Sequence, residues 1–130
     1  MTTDQSGPDR SGNWQTYPSA PVGGSFVCRA SDVPDGGSFS VDLAGFPILL
    51  ARQTGLLVAY VNACPHQFLP LDYRSNQVIS ADGALLRCSV HEAGFDLRTG
   101  LGVEGPGSDC ALDPVPVQQT PDGDIVIAPL

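Results

Sequence analysis

The positions of apolar and polar residues along the chain predict short β-strands rather than long helices. Residues 38–43 alternate strictly between the two types, which is the pattern of a strand with one buried face. Phe39, Val41 and Leu43 therefore share a face, which we expect to lie in the core. Further strands are predicted at residues 25–29, 46–52, 56–62, 77–80, 84–87, 95–97, 114–117 and 124–128.

Turn-forming residues join several of these strands. The Gln-Thr-Gly segment at 53–55 and the Ala-Asp-Gly segment at 81–83 each separate two predicted strands, which is typical of a β-hairpin. Asp122 and Gly123 predict a further turn before the last strand. Short strands joined in this way predict an all-β fold, an antiparallel sandwich or partial barrel.

Composition is compatible with one small, loop-rich domain. The chain has 130 residues, among them 15 glycines and 12 prolines. It contains six arginines, no lysine and a formal charge of −8, which argues against a nucleic-acid partner. Such a charge commonly serves solubility, and it also favours electropositive protein partners.

The N-terminal residues predict a poorly ordered tail. Residues 1–13 are rich in Ser, Gly, Asp and Thr and show no apolar period. Trp14 and Tyr17 are then expected to pack the segment onto the domain. The tail lacks an apolar signal-peptide core, and no apolar run is long enough to span a bilayer. We therefore expect a soluble, cytoplasmic protein with no membrane association.

Four candidate metal ligands lie in two short segments, each within two residues of the end of a predicted strand. Cys64 and His66 form a Cys-x-His segment, and Cys88 and His91 form a Cys-x-x-His segment. A cysteine and a histidine one residue apart cannot easily close a tetrahedron around a single zinc, whose ligand pairs usually have wider spacings. Rigid strands before both segments would bring the four ligands together.

This pair of segments resembles the ligand pattern of Rieske proteins, and the resemblance extends over about residues 27–127. Residues 27–36 are similar to the opening strand and turn of the family, and residues 95–100 to the sequence after its second ligand loop. Residues 105–107, Gly-Pro-Gly, lie where the family has a proline-containing loop over its cluster. Twenty-one residues separate the two ligand segments, more than in the simplest members, and we interpret residues 72–77 as a surface insertion.

The resemblance implies a single Rieske domain at residues 14–130, with a cluster-binding subdomain at about 63–107. It also implies a [2Fe–2S] cluster in which Cys64 and Cys88 hold one iron, and His66 and His91 hold the other. The iron with imidazole ligands would then accept the electron, because thiolates stabilise the ferric state of the other iron.

Other positions imply a low reduction potential. High-potential members have an extra cysteine in each loop, where this chain has Leu69 and Val90. They also have a serine and a tyrosine that donate hydrogen bonds to the cluster, where this chain has Ala93 and Phe95. Because fewer donors stabilise added negative charge, the reduced state should be less favoured.

The resemblance implies an electron-transfer protein rather than an enzyme. Its electrons would come from a flavin-dependent or ferredoxin reductase and pass to a terminal oxygenase or another redox enzyme. The chain has only two histidines, both assigned to the cluster, so a separate two-histidine iron site for oxygen activation is excluded.

Two alternatives remain open at this point. The chain could be a small Rieske subunit of a larger redox enzyme, similar to that of nitrite reductase or arsenite oxidase. The same four residues could instead bind zinc, or no metal. The remaining cysteines, Cys28 and Cys110, are expected to be free thiols, with Cys28 buried in a strand.

Overall fold

The computed structural model describes residues 13–63, 70–73, 78–88, 93–104 and 111–128. Within these residues the chain forms nine β-strands and two short 3-10 helices, at Asn13–Thr16 and Ala30–Asp32. The strands are β1 Phe26–Arg29, β2 Gly37–Leu43, β3 Phe46–Gln53, β4 Leu56–Val61, β5 Leu85–Arg87, β6 Gly94–Asp96, β7 Gly102–Glu104, β8 Val117–Gln119 and β9 Asp124–Ile127. The predicted all-β fold is confirmed. Neither helix is long and apolar enough to cross a membrane.

The strands form three antiparallel sheets of three strands each. The terminal sheet has the order β1-β9-β8, the middle sheet β2-β3-β4, and the loop-bearing sheet β5-β6-β7. The predicted hairpin around 81–83 is present, although its first arm pairs with β5 only through a bridge between Ile79 and Leu86. Strand β7 was not predicted, because its three residues are too few to show a period.

Strand β3 is buried on both faces and joins two separate cores. Ile48 and Leu50 belong to a first core shared with the terminal sheet, whereas Leu49 and Ala51 belong to a second core shared with the loop-bearing sheet. A strand covered on both sides needs apolar residues at every position. This is why residues 46–51 form a continuous apolar run rather than an alternating one.

Two-residue turns connect the strands of the middle sheet. Ala44 and Gly45 have φ angles of 52° and 99°, and Thr54 and Gly55 have φ angles of 52° and 80°. Positive φ at both positions is the requirement of the type I′ turn, which matches the twist of paired strands. The sequence predicted the second turn but not the first, although each turn places a non-glycine residue, Ala44 or Thr54, at positive φ.

One predicted core residue is not in the core. Val41 and Leu43 pack against the first core as expected, but Phe39, on the same face, is 36% exposed. The prediction for Phe39 was therefore wrong. Among the described strands, β2 lies at the edge of the middle sheet, where a neighbouring strand covers a side chain from one side only.

The first helix is attached to the domain by aromatic contacts, as predicted. Trp14 is 1% exposed, and its ring packs edge-on against Phe46 with 6.3 Å between centroids. Tyr17 contacts the same ring at 6.2 Å and donates a hydrogen bond of 2.6 Å to the Asp113 carboxylate. Asn13, which begins the helix, also donates to Asp113. The rest of the predicted tail, residues 1–12, lies outside the described residues.

The Tyr17 hydroxyl is expected to make stability fall at alkaline pH. Burial and the hydrogen bond to Asp113 raise the pKa of Tyr17 from 10.0 to about 12. Between pH 10 and pH 12 the folded chain keeps a proton that the unfolded chain has lost, so the free energy of unfolding decreases as pH rises. The Tyr17→Phe variant should lose less stability than wild type between pH 10 and pH 12, as measured by urea denaturation.

The Cys28 thiol titrates in an overlapping pH range and serves as the control. Burial raises the pKa of the Cys28 thiol to about 11, so Cys28→Ala should flatten the profile at lower pH than Tyr17→Phe does. Profiles for wild type and Tyr17→Phe that run parallel across this range would contradict the role of Tyr17.

Candidate metal centre

Of the four predicted ligands, the structure describes Cys88. It directly follows β5, is 1% exposed and is a free thiol. Cys64, His66 and His91 lie outside the described residues, as do Cys110 and the Gly-Pro-Gly segment at 105–107. The described residues do show how both predicted ligand loops begin and end.

The second loop connects β5 to β6 and is closed by the main chain. Arg87 pairs with Gly94 at the end of the hairpin, and the Cys88 N–H then donates to the Ala93 carbonyl at 2.9 Å. The two residues that flank residues 89–92 are therefore joined by a hydrogen bond. Cys88 is the first of these two residues.

The first loop follows β4 and is closed by a side chain. The Asn62 amide oxygen accepts a hydrogen bond from the Leu71 N–H at 2.8 Å, and its amide nitrogen donates to the Asp72 carboxylate at 3.0 Å. The Asn62 N–H donates to the Pro47 carbonyl at 3.0 Å. Hydrogen bonds thus join the residues on either side of residues 63–70. This segment includes Cys64 and His66.

The sequence interpretation missed Asn62. A signal was present, because Asn62 is a polar residue that ends a buried apolar strand two positions before a predicted ligand. Asp72 was assigned to a surface insertion, yet it bonds to Asn62 at the base of the loop. Tyr73, the next residue of that predicted insertion, is exposed, and residues 74–77 lie outside the described residues.

The bases of both loops belong to the same core. Leu71 from the first loop and Cys88 and Ala93 from the second are members of the second core and are 0–1% exposed. The two segments that contain the predicted thiol and imidazole ligands are therefore anchored in one packed core. Rigid attachment of this kind is what a multi-ligand metal site requires.

The donor set and its surroundings fit an iron–sulfur group. Thiolates favour iron–sulfur chemistry and imidazoles are good ligands for iron, so a mixed set of two and two suits a Rieske cluster. Ala93 and Phe95, both 0% exposed, carry no hydroxyl group that could donate to the cluster. These two positions agree with a low potential, which remains a prediction.

Comparison with known proteins agrees with this chemistry. Residues 24–121 match the family described as "Rieske [2Fe-2S] domain". The chain is 34% identical over 106 residues to the 3-phenylpropionate/cinnamic acid dioxygenase ferredoxin subunit of Photorhabdus laumondii subsp. laumondii, a match that covers 78% of this chain and 90% of that relative.

Solved structures give the same fold. The ferredoxin of carbazole 1,9a-dioxygenase from Nocardioides aromaticivorans IC177 superposes with a TM-score of 0.67 and 21% identity, covering 83% of this chain and 99% of that chain. One chain of a complex of reduced oxygenase and oxidized ferredoxin in carbazole 1,9a-dioxygenase matches with a TM-score of 0.65 and 25% identity. The match covers 79% of this chain and 90% of that chain.

A family match over most of the chain, a relative of similar extent and a shared β-fold all agree. The family is defined by its [2Fe–2S] cluster, and the chemistry of the predicted ligands suits that group. The chain belongs to the Rieske [2Fe–2S] domain family.

Proposed function

We propose that this chain is a one-electron carrier of the Rieske ferredoxin type that delivers electrons to a terminal oxygenase. The observation that carries the proposal is the 34% identity to a dioxygenase ferredoxin subunit over 90% of that subunit's length. The matching structure of a ferredoxin in complex with an oxygenase supports the choice of acceptor. The chain acts as a carrier and not as a catalyst.

We assign the ligands as Cys64 and Cys88 on one iron, and His66 and His91 on the other. Support comes from the two loop closures and from the shared core beneath them. When bound, the cluster takes up and releases one electron. Burial of Cys88 among apolar side chains keeps water from its sulfur, and hydrogen bonds hold the residues that flank each ligand segment.

The electron donor is proposed to be a flavin-dependent or ferredoxin reductase. The formal charge of −8 favours docking to electropositive surfaces on both donor and acceptor, and such attraction weakens with salt. We further propose that the protein works in the cytoplasm, which cell fractionation with an antibody against the chain would test.

Spectroscopy of the purified protein tests the cluster assignment. Aerobically purified protein should be red-brown, and the dithionite-reduced form should give the electron paramagnetic resonance signal of a [2Fe–2S] cluster with histidine ligands. A colourless protein containing zinc would reject the assignment, and a signal typical of four cysteine ligands would reject the two histidines.

Electron delivery needs a separate measurement. Anaerobic, dithionite-reduced protein freed of excess reductant should regain its oxidised visible spectrum when mixed with the oxidised oxygenase component of a ring-hydroxylating dioxygenase. The rate should fall as salt is added. Co-elution with a large partner during native size-exclusion chromatography would favour the alternative, a permanent subunit of a larger redox enzyme.

A further inference from the structure

The two predicted ligand loops are closed in different ways. The second loop uses the main-chain hydrogen bond between Cys88 and Ala93, which does not depend on a side chain. The first loop uses the side chain of Asn62, which bonds to Leu71 and Asp72. Closure of the first loop therefore depends on the side chain of a single residue that is not a predicted ligand.

Asparagine suits this position because the site needs one acceptor and one donor on a short side chain. Asn62 is 5% exposed, and the Leu71 N–H that it accepts belongs to a residue that is 0% exposed. Aspartate would offer acceptors only and would face the Asp72 carboxylate. An apolar residue would leave the buried Leu71 N–H without a partner, which costs free energy.

We propose that Asn62 is a positioning residue for the metal centre. By joining Leu71 and Asp72 to the end of β4, it holds the first loop in the form that retains the cluster. The proposal rests on the proposed function, since it takes Cys64 and His66, which that loop carries, as ligands. Asn62 acts through the loop and is not itself a ligand.

Three variants separate the two bonds of Asn62. Asn62→Ala removes both, Asp72→Ala removes the acceptor for the amide nitrogen, and Asp72→Asn keeps an acceptor oxygen while removing the charge. The rate of cluster loss is measured on holoprotein as the decay of visible absorption in the presence of an iron chelator. We expect loss to be on the order of tenfold faster in Asn62→Ala, intermediate in Asp72→Ala and close to wild type in Asp72→Asn.

Two further measurements report on the loop itself. Hydrogen exchange of the Leu71 amide should become faster in Asn62→Ala, because its acceptor is gone. The electron paramagnetic resonance signal of the reduced protein should broaden in the same variant, as the ligand loop adopts more than one geometry. In Asp72→Asn the line shape should match that of wild type.

The control is Tyr17→Phe, which removes a side-chain hydrogen bond to Asp113 at the first core, whereas the loop bases belong to the second core. It should lose the cluster at the wild-type rate. Equal rates in Tyr17→Phe and Asn62→Ala would overturn the proposal. Faster exchange at Leu71 with an unchanged cluster lifetime and line shape would also overturn it, since Asn62 would then stabilise the chain without positioning ligands.

If Asn62→Ala does not fold, Asp72→Ala and Asp72→Asn decide the question, because Asp72 is partly exposed and its replacement keeps the hydrogen bond from the buried Leu71 N–H to Asn62. Failure of the proposed function is visible separately. A wild-type protein without [2Fe–2S] absorption rejects the carrier, whereas a red-brown wild type with unaffected variants rejects only the role of Asn62.

Discussion

We expect that replacing Cys88 with alanine abolishes cluster binding, whereas replacing Cys28 with alanine preserves it. The two thiols are matched, because both are free and buried, with 1% and 4% exposure. They differ in position: Cys88 follows β5 at the start of the second loop, and Cys28 lies in β1, in the first core. The pair therefore separates ligation from packing.

The physical reason is that alanine offers no donor to iron, and the chain supplies only one thiolate from each loop in the proposed ligand set. Bound iron should fall from about two atoms per chain to near zero in Cys88→Ala, with loss of the visible absorption and of the resonance signal. Cys28→Ala should keep iron at the wild-type level, because only packing atoms are lost.

Iron analysis and absorption spectra of both variants, purified in parallel, decide the result. A Cys88→Ala protein that remains red-brown with its full iron content would show that Cys88 is not a ligand. Loss of iron in both variants would point to general instability, and circular dichroism would show whether the fold is retained.

Replacing Phe46 with alanine gives the largest expected loss of stability. Phe46 is 0% exposed, begins β3 and contacts the rings of both Trp14 and Tyr17. Truncation of a fully buried phenylalanine leaves a cavity and typically costs about 3–5 kcal/mol. It also removes the surface on which the first helix packs.

Trp14 reports the effect directly, because it is the single tryptophan of the chain. Its fluorescence should shift to longer wavelength in folded Phe46→Ala, and urea unfolding should show the reduced free energy of unfolding. The control is Phe39→Ala, which truncates a phenylalanine that is 36% exposed, so that its loss should be about 1 kcal/mol or less. Similar losses in both variants would contradict the burial difference between the two phenylalanines.

The negative charge has a structural use that composition did not reveal. Asp35 accepts a hydrogen bond from the Gly55 N–H, Asp42 from the Gly45 N–H, and Asp96 from the Arg98 and Thr99 N–H groups. Hydrogen bonds from Ser80 and from the Ala84 N–H lower the pKa of Asp82. Part of the charge of this chain therefore stabilises turns, in addition to any effect on solubility or docking.

Local patterns explain which features could be predicted. The strand at residues 38–43, the turn at 53–55 and the buried strand around Cys28 are encoded by adjacent residues, and the structure confirms them. The Cys-x-His and Cys-x-x-His segments are also local, and their pattern was enough to identify the family that the comparison shows. The ligand assignment itself remains a prediction.

The sequence by itself determined the all-β fold, most strand positions and the chemical nature of the metal-binding segments, because strand periodicity and ligand spacing are properties of neighbouring residues. Only the tertiary structure decided that β3 serves two cores, that Phe39 is left partly exposed, and that Asn62 closes the first loop. Each of these depends on which distant segment lies against a given side chain. Asn62 meets partners nine and ten positions away, and the spacing of apolar residues carries no information about such a contact.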